Sequence, residues 1–337
     1  MPSPLTGKET SMRRIVLLLL ILSIRLVPAN AQEVNSTSDS AEGNFNVPLP
    51  TLGGKQFWTD QRWHRDIRLQ YNSTLKHYRI VDAKNVRLGW GSREAMVAQF
   101  EILVASKPYE QAPKHFVILV HGLGRTADSM DPMAAFLQKQ ADLQPNEPHL
   151  QLTPFTVSYA STRDSIQHHS QALCELIEHL PADTEISFVA HSLGNIVIRH
   201  AIGRWQRNGD PQKILPRLQR FVMLGPPNQG SMLAEKLAKL KLFEVITGTS
   251  GLQLGKAWDQ LQTELAIPPI PFLIIVGTLD DKPVGNPLLN GPNDGVVTKD
   301  EAMLTGATQI EEYSQLHSFL MNDPAIMKST WQFLISD

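Results

Sequence analysis

Cysteine is almost absent: Cys174 is the only one in 337 residues, which excludes an internal disulfide and leaves stability to packing. Its place in the apolar-periodic stretch from Ala172 to Leu180 marks it as a small core residue rather than a reactive thiol. An excess of charge of one sign is lacking too. The 31 Lys and Arg against 33 Asp and Glu leave a net charge of -2, with no basic field to gather phosphate backbones, so nucleic acid is excluded as a partner. The apolar run Ile15 to Ile24 stops at Arg25, well short of the roughly 20 residues that a membrane-crossing helix needs. No stable transmembrane segment is expected in the mature chain.

That short run does fit an export signal. Lys8, Arg13 and Arg14 precede it, and Ala29-Asn30-Ala31 follows with the alternating small residues that signal peptidase accepts. Residues 1–31 therefore read as a cleaved signal peptide, and the chain as exported to a periplasm or to the outside of a cell. Residues 32–56, rich in Ser, Asn, Pro and Gly, read as a flexible leader. What remains can bury a core, since 42% of the chain is hydrophobic and only 19% charged.

The spacing predicts an N-terminal strand extension over 57–106, with Ile67 to Tyr71, Tyr78 to Val81 and Met96 to Val104 as antiparallel strands leading into the main sheet. Beyond it, short apolar runs alternate with helix-period segments. Strands are predicted at His115 to Val120, Phe155 to Tyr159, Ile186 to Ala190, Arg220 to Leu224, Phe272 to Gly277 and Thr308 to Tyr313. Helices are predicted at Met130 to Gln140, Arg163 to Leu180, Gly194 to Arg207, Ser231 to Thr247 and Asp323 to Ile335. This is the pattern of an α/β domain over 57–337, a mostly parallel central sheet with helices on both faces. In such sheets the site lies at the carboxyl ends of the strands.

After the run Ile186 to Ala190 the chain reads His191-Ser192-Leu193-Gly194-Asn195 and enters a helical segment. Strand, sharp turn and helix put the Ser192 hydroxyl at an apex, with the small residues Ala190 and Gly194 where larger side chains would strike the neighbouring backbone. The helix N-terminus then lays positive partial charge beside any oxyanion formed there. This arrangement resembles the nucleophile elbow of the α/β-hydrolases, G-x-S-x-G, with Ala190 in place of the first glycine as in some lipases.

The resemblance implies a lipase/esterase-like serine hydrolase with the order Ser, acid, His. Upstream, His121-Gly122-Leu123-Gly124 follows a strand. In lipases and related esterases this segment turns a backbone N–H into the site, which implies the N–H groups of Leu123 and Leu193 as oxyanion donors.

A serine hydroxyl needs a base, and the base needs an orienting carboxylate. Asp280-Asp281 and Asp294 both follow a late strand. Asp294 lies in Asn293-Asp294-Gly295-Val296-Val297, which resembles the acid-bearing segment of many bacterial lipases, and it is preferred. His317 is the one histidine downstream of Asp294. His168 and His169 fall on a helix, His191 inside the elbow, and His200 on the elbow's helix. The loop Gly225-Pro226-Pro227-Asn228-Gln229-Gly230-Ser231 resembles a wall loop of lipase-like hydrolases, as substrate contact or as plain turn. Residues 231–269, with Leu233, Leu237, Leu240 and Phe243, form an insertion that serves either as a lid or as ordinary packing. Such a triad requires no cofactor and no metal, and its substrate would be a small-molecule or lipid ester. Acyl transfer by the same residues and a non-catalytic binding protein of this fold remain alternatives.

Overall fold

The computed structural model describes residues 54–147, 150–238, 241–279, 286 and 288–336, with 241–246 as helical backbone alone. The segments read as signal peptide and most of the leader lie outside the described residues. All described residues belong to one unit, Pro48–Asp337.

The central sheet has six parallel strands: β5 (His115–Val120), β6 (Leu152–Val157), β7 (Glu185–His191), β8 (Leu218–Leu224), β9 (Phe272–Gly277) and β10 (Gln309–Tyr313), in the order β10-β9-β8-β7-β5-β6. β5 and β9 are buried at every position, as strands covered on both faces must be. β6 starts three residues before the predicted Phe155, because it runs through Pro154. A proline is tolerated there since β6 is an edge strand with only β5 as its neighbour. The strand order reverses at β5, so β5 and β7 lie side by side with their crossovers leading away. Their carboxyl ends flank the crevice where such sheets bind ligands.

Four helices cover this sheet: α2 (Asp131–Asp142), α3 (Ile166–Glu178), α4 (Leu193–Asn208) and α9 (Pro324–Leu334), close to the predicted spans. α9 shows local coding plainly, with Asp323 Oδ1 accepting from the N–H groups of Ala325 and Ile326 and Pro324 at the first helical position. One core packs α2 and α9 on the sheet through Met133, Leu137, Val117, Val222, Trp331 and Phe333. Cys174 is buried, as expected, and burial pushes its thiol pKa up.

The N-terminal region departs from expectation. It is a separate four-stranded antiparallel meander, β1 (Thr59–His64), β2 (Ile67–Asn72), β3 (His77–Val81) and β4 (Arg87–Gly91), and not an extension of the main sheet. The predicted strand Met96 to Val104 is instead part of helix α1 (Arg93–Ser106), started by Ser92, whose hydroxyl accepts from Ala95 N–H. Period decides the matter. Met96, Phe100, Leu103 and Val104 share one helical face and pack on Ile67, Leu69 and Ile80, while Ile102 points out at 70% exposure. The meander joins the main sheet at β1, where Trp63 stacks on Phe155 at 4.2 Å and Asp60 accepts from Ser158 N–H at 2.8 Å.

The insertion is not one helix from Ser231 to Thr247. It holds α5 (Met232–Leu237), α6 (Lys241–Gln253) and α7 (Trp258–Gln262), and α6 kinks at Gly248, which takes a positive φ of 62° against the carbonyl of Thr162. Polar contacts tie its far half to α3: Ser250 donates to Asp164 O at 2.8 Å and Gln253 accepts from Ile166 N–H at 2.8 Å. A short helix α8 (Lys299–Ala302), closed by a Thr298/Glu301 capping box, precedes β10.

Candidate active site

Ser192 follows β7 with φ 52° and ψ -120°, outside the regions an L-residue prefers. The neighbours explain how this backbone persists. Its N–H donates to Leu224 O at 2.9 Å, Asn195 Nδ2 donates to its carbonyl at 2.9 Å, and α4 begins at the next residue. A methyl group on Gly194 would stand 2.6 Å from Val120 O and 2.8 Å from His121 O, so α4 approaches the end of β5 closer than any side chain permits. Gly194→Ala must push helix and strand apart. It is expected to lower the urea midpoint by the equivalent of about 1–3 kcal/mol, and an unchanged midpoint would refute this close approach.

Asp294 and His317 are brought together. Asp294 Oδ2 lies 2.7 Å from His317 Nδ1, while Oδ1 accepts from the N–H groups of Val296 at 3.0 Å and Val297 at 2.7 Å. His317 N–H donates to Asp294 O at 3.0 Å. A carboxylate so held fixes the ring and keeps the proton on Nδ1, leaving Nε2 to accept one. Both residues are buried. Asp280 and Asp281 lie outside the described residues.

Ser192 and His317 border the same backbone. Ser192 N–H bonds to Leu224, and a methyl on the adjacent Gly225 would come within 3.0 Å of His317 Nδ1. The serine hydroxyl and the imidazole are not hydrogen-bonded to each other among the described contacts, an arrangement common in sites that tighten around substrate. A second tie comes from His191, whose Nε2 donates to His317 O at 2.9 Å with the ring centroids 4.6 Å apart. Burial drives the His191 pKa well below its ordinary value, and the neighbouring imidazole of His317 disfavours a second positive charge there.

The loop after β5 faces the elbow. A methyl on Gly122 would lie 3.1 Å from Ser192 Cβ, so this stretch passes directly over the serine. Leu193 N–H is the first of those a helix leaves without an internal acceptor, and Leu123 follows Gly122 on the facing loop. Gly124 N–H donates to Ser161 Oγ at 3.0 Å and Arg125 Nη2 to Ser318 O at 3.2 Å, which joins this loop to the loop of His317.

No motif pointed to the roles that three residues take here. Gly225 and Gly277 make room for the acid and base, since a methyl on Gly277 would lie 2.7 Å from Asp294 Cβ. His191 reads in sequence only as an elbow residue. The loop 225–231 turns out to be a brace: Asn228 accepts from Arg199 at 3.1 Å and donates to Ala302 O at 2.8 Å.

Beneath the loop after β5, His121 stacks on Tyr159 at 4.2 Å and His169 meets the same ring edge-on at 4.8 Å. Burial pushes both imidazoles down to about 4. In the unfolded chain they take up protons near pH 6.5, so the native state loses stability as the pH falls from there through about 4, by on the order of 3 kcal/mol per ring. Urea midpoints from about pH 7 to about pH 4 measure this. His169→Phe should flatten the slope, and an unaltered slope would assign the acid loss to other groups.

No helix among the described residues is long and apolar enough to cross a membrane. The structure is similar to the mature form of Bacillus licheniformis lipase BlEst2, with TM-score 0.50 and 16% identity over 68% of this chain and 96% of that one. The propeptide form of the same lipase matches with the same score and covers 53% of its chain. A curated relative, Putative methylesterase 12, chloroplastic, from Arabidopsis thaliana, is 31% identical over 97 residues, or 29% of this chain. That match spans about a quarter of the relative's own length, 26%. The fold is that of the α/β-hydrolases of lipase and esterase type. The family described as Putative serine esterase (DUF676) matches residues 110–289, a stretch that runs from the strand before Gly122 past the elbow of Ser192, and the chain belongs to that family.

Proposed function

We propose that the protein is an exported esterase that cleaves carboxylic esters through Ser192, His317 and Asp294. The observation that carries this reading is the convergence of a positive-φ serine after β7 and an imidazole locked to a buried carboxylate, both against the Leu224-Gly225 backbone. His317 Nε2 takes the Ser192 proton as Oγ attacks the acyl carbon. The tetrahedral oxyanion is met by the N–H groups of Leu123 and Leu193, each worth about 2.7–4 kcal/mol of barrier. The imidazolium returns its proton to the leaving alcohol and an acyl-enzyme remains. Water then attacks with His317 again as base, releasing the acid and restoring Ser192.

No step calls for a metal or an organic cofactor. Export rests on the basic residues, apolar run and Ala29-Asn30-Ala31 of the N-terminus, which lie outside the described residues. The domain assignment that follows is 1–31 signal, 32–56 leader and 57–337 hydrolase. Secretion of the full-length chain with loss of residues 1–31, read by N-terminal sequencing, tests the first of these. A p-nitrophenyl ester series from acetate to laurate tests the chemistry. The reading predicts burst release followed by steady turnover on at least one ester, and silence across the series would overturn it.

A further inference from the structure

Between the N-terminal meander and α3 lies a cavity of about 650 Å³, in the size range of small-molecule sites, and no residue proposed for ester cleavage lines it. Its walls come from β1 through Thr59 and Gln61, from Tyr71 and Tyr78 on the neighbouring strands, and from the first turns of α3 through Gln171. Charge in the walls balances. Arg93 and Arg163 face Asp164 and Glu175, so the two cations are matched by two carboxylates and no excess of positive charge is built in for a phosphate or another anion.

The charges are also spent locally. Arg93 Nη2 donates to Glu175 at 2.8 Å, Asp164 bonds the His168 ring, and the Arg163 guanidinium lies 4.6 Å from the centre of the Phe57 ring. No group of three or more His, Cys, Asp or Glu suited to a metal occurs among the described residues.

What remains is a polar, neutral wall with aromatic faces. Tyr71 and Tyr78 sit 4.7 Å apart at an angle of 36°. They form no parallel slot for a flat base, but both rings line the cavity and give it aromatic surface against which the C–H side of a puckered ring can pack. His169 also belongs to this wall. It is 2% exposed and its Nε2 is closed off from solvent, so it backs the cavity wall without reaching an occupant.

We propose that this cavity binds a neutral polyhydroxylated ring, a glycosyl unit of a saccharide or glycoside. Tyrosine faces take the ring's C–H side, and the amides, hydroxyls and paired guanidinium groups take its hydroxyls. The site stands apart from the ester chemistry but is linked to it through one loop. Residues 159–164 supply Arg163 and Asp164 to the cavity, while Ser161 and Tyr159 of the same loop hold Gly124 N–H and His121 O at 3.0 Å and 2.7 Å.

Calorimetric titration of the full protein with cellotriose, maltotriose, xylotriose and triacetylchitotriose tests the proposal, with adenosine and inorganic phosphate as further probes. At least one saccharide is expected to bind saturably at or below about 10 mM. Its affinity should fall at least about tenfold in Gln171→Ala, on the exposed side of α3, and in Tyr78→Ala. Circular dichroism checks that each variant is folded. Saturable binding by no saccharide, tighter binding of adenosine or phosphate than of any saccharide, or affinity unchanged in a folded Gln171→Ala and a folded Tyr78→Ala would each overturn it.

Discussion

Replacing Ser192 by alanine is expected to lower kcat for ester hydrolysis by about 10⁴- to 10⁶-fold while the protein stays folded. The attacking oxygen is lost, but the turn is not, because its backbone is held by Leu224, by Asn195 and by the close packing of Gly194, none of which uses the hydroxyl. On the proposed mechanism, the residual rate reports the oxyanion donors together with substrate binding. Steady-state kinetics beside a denaturation curve separate the two effects. A variant that retains more than about a hundredth of wild-type kcat would mean that another group attacks.

The second large effect is expected for Asp294→Asn, a loss in kcat of about 10⁴-fold with little change in KM. The reason lies in how this carboxylate is held. Oδ1 accepts two backbone N–H bonds, from Val296 and Val297, and an asparagine has only one acceptor oxygen to keep that position. Its amide NH₂ must then face His317 Nδ1, where Oδ2 now stands at 2.7 Å. A donor there forces the proton onto Nε2, the atom needed to accept from Ser192. The imidazole is present, well placed and in the wrong tautomer. Rates across pH on a single ester measure it, and a kcat near wild type would show that Asp294 does not set the tautomer.

Much of the site was legible in the sequence because its constraints are local. Ala190 and Gly194 around Ser192 follow from the steric demands of one turn, and the apolar run before them is a complete strand. The pairing of Asp294 with His317 was legible through chain order and resemblance, and their contact at 2.7 Å agrees with it. What sequence could not carry was contact between distant segments. Nothing local marks Gly225 or Gly277 as the floor beneath an imidazole and a carboxylate, or His191 as a donor to a carbonyl 126 residues away.

The errors in the fold have the same origin. Val97, Phe100 and Val104 favour strand by type, but the helical spacing that begins at Met96 and the Ser92 cap outweigh that preference once a sheet face is there to bury them. β1 was missed because Asp60, Gln61 and Arg62 are buried in it without alternation, with Asp60 met by Arg68, Gln70 and Ser158 and Arg62 by Glu101 from elsewhere in the chain. β4 carries two glycines, and the Gln99 side chain of α1 lies over Gly89. Each depends on a partner that periodicity cannot see.

Reaction of the intact protein with a fluorophosphonate, followed by peptide mass spectrometry, tests the central assignment most directly. The account predicts one adduct, on the peptide carrying Ser192, formed at a rate that collapses when His317 is replaced by alanine. An adduct on a different residue, or labelling of Ser192 as fast without His317 as with it, would contradict it.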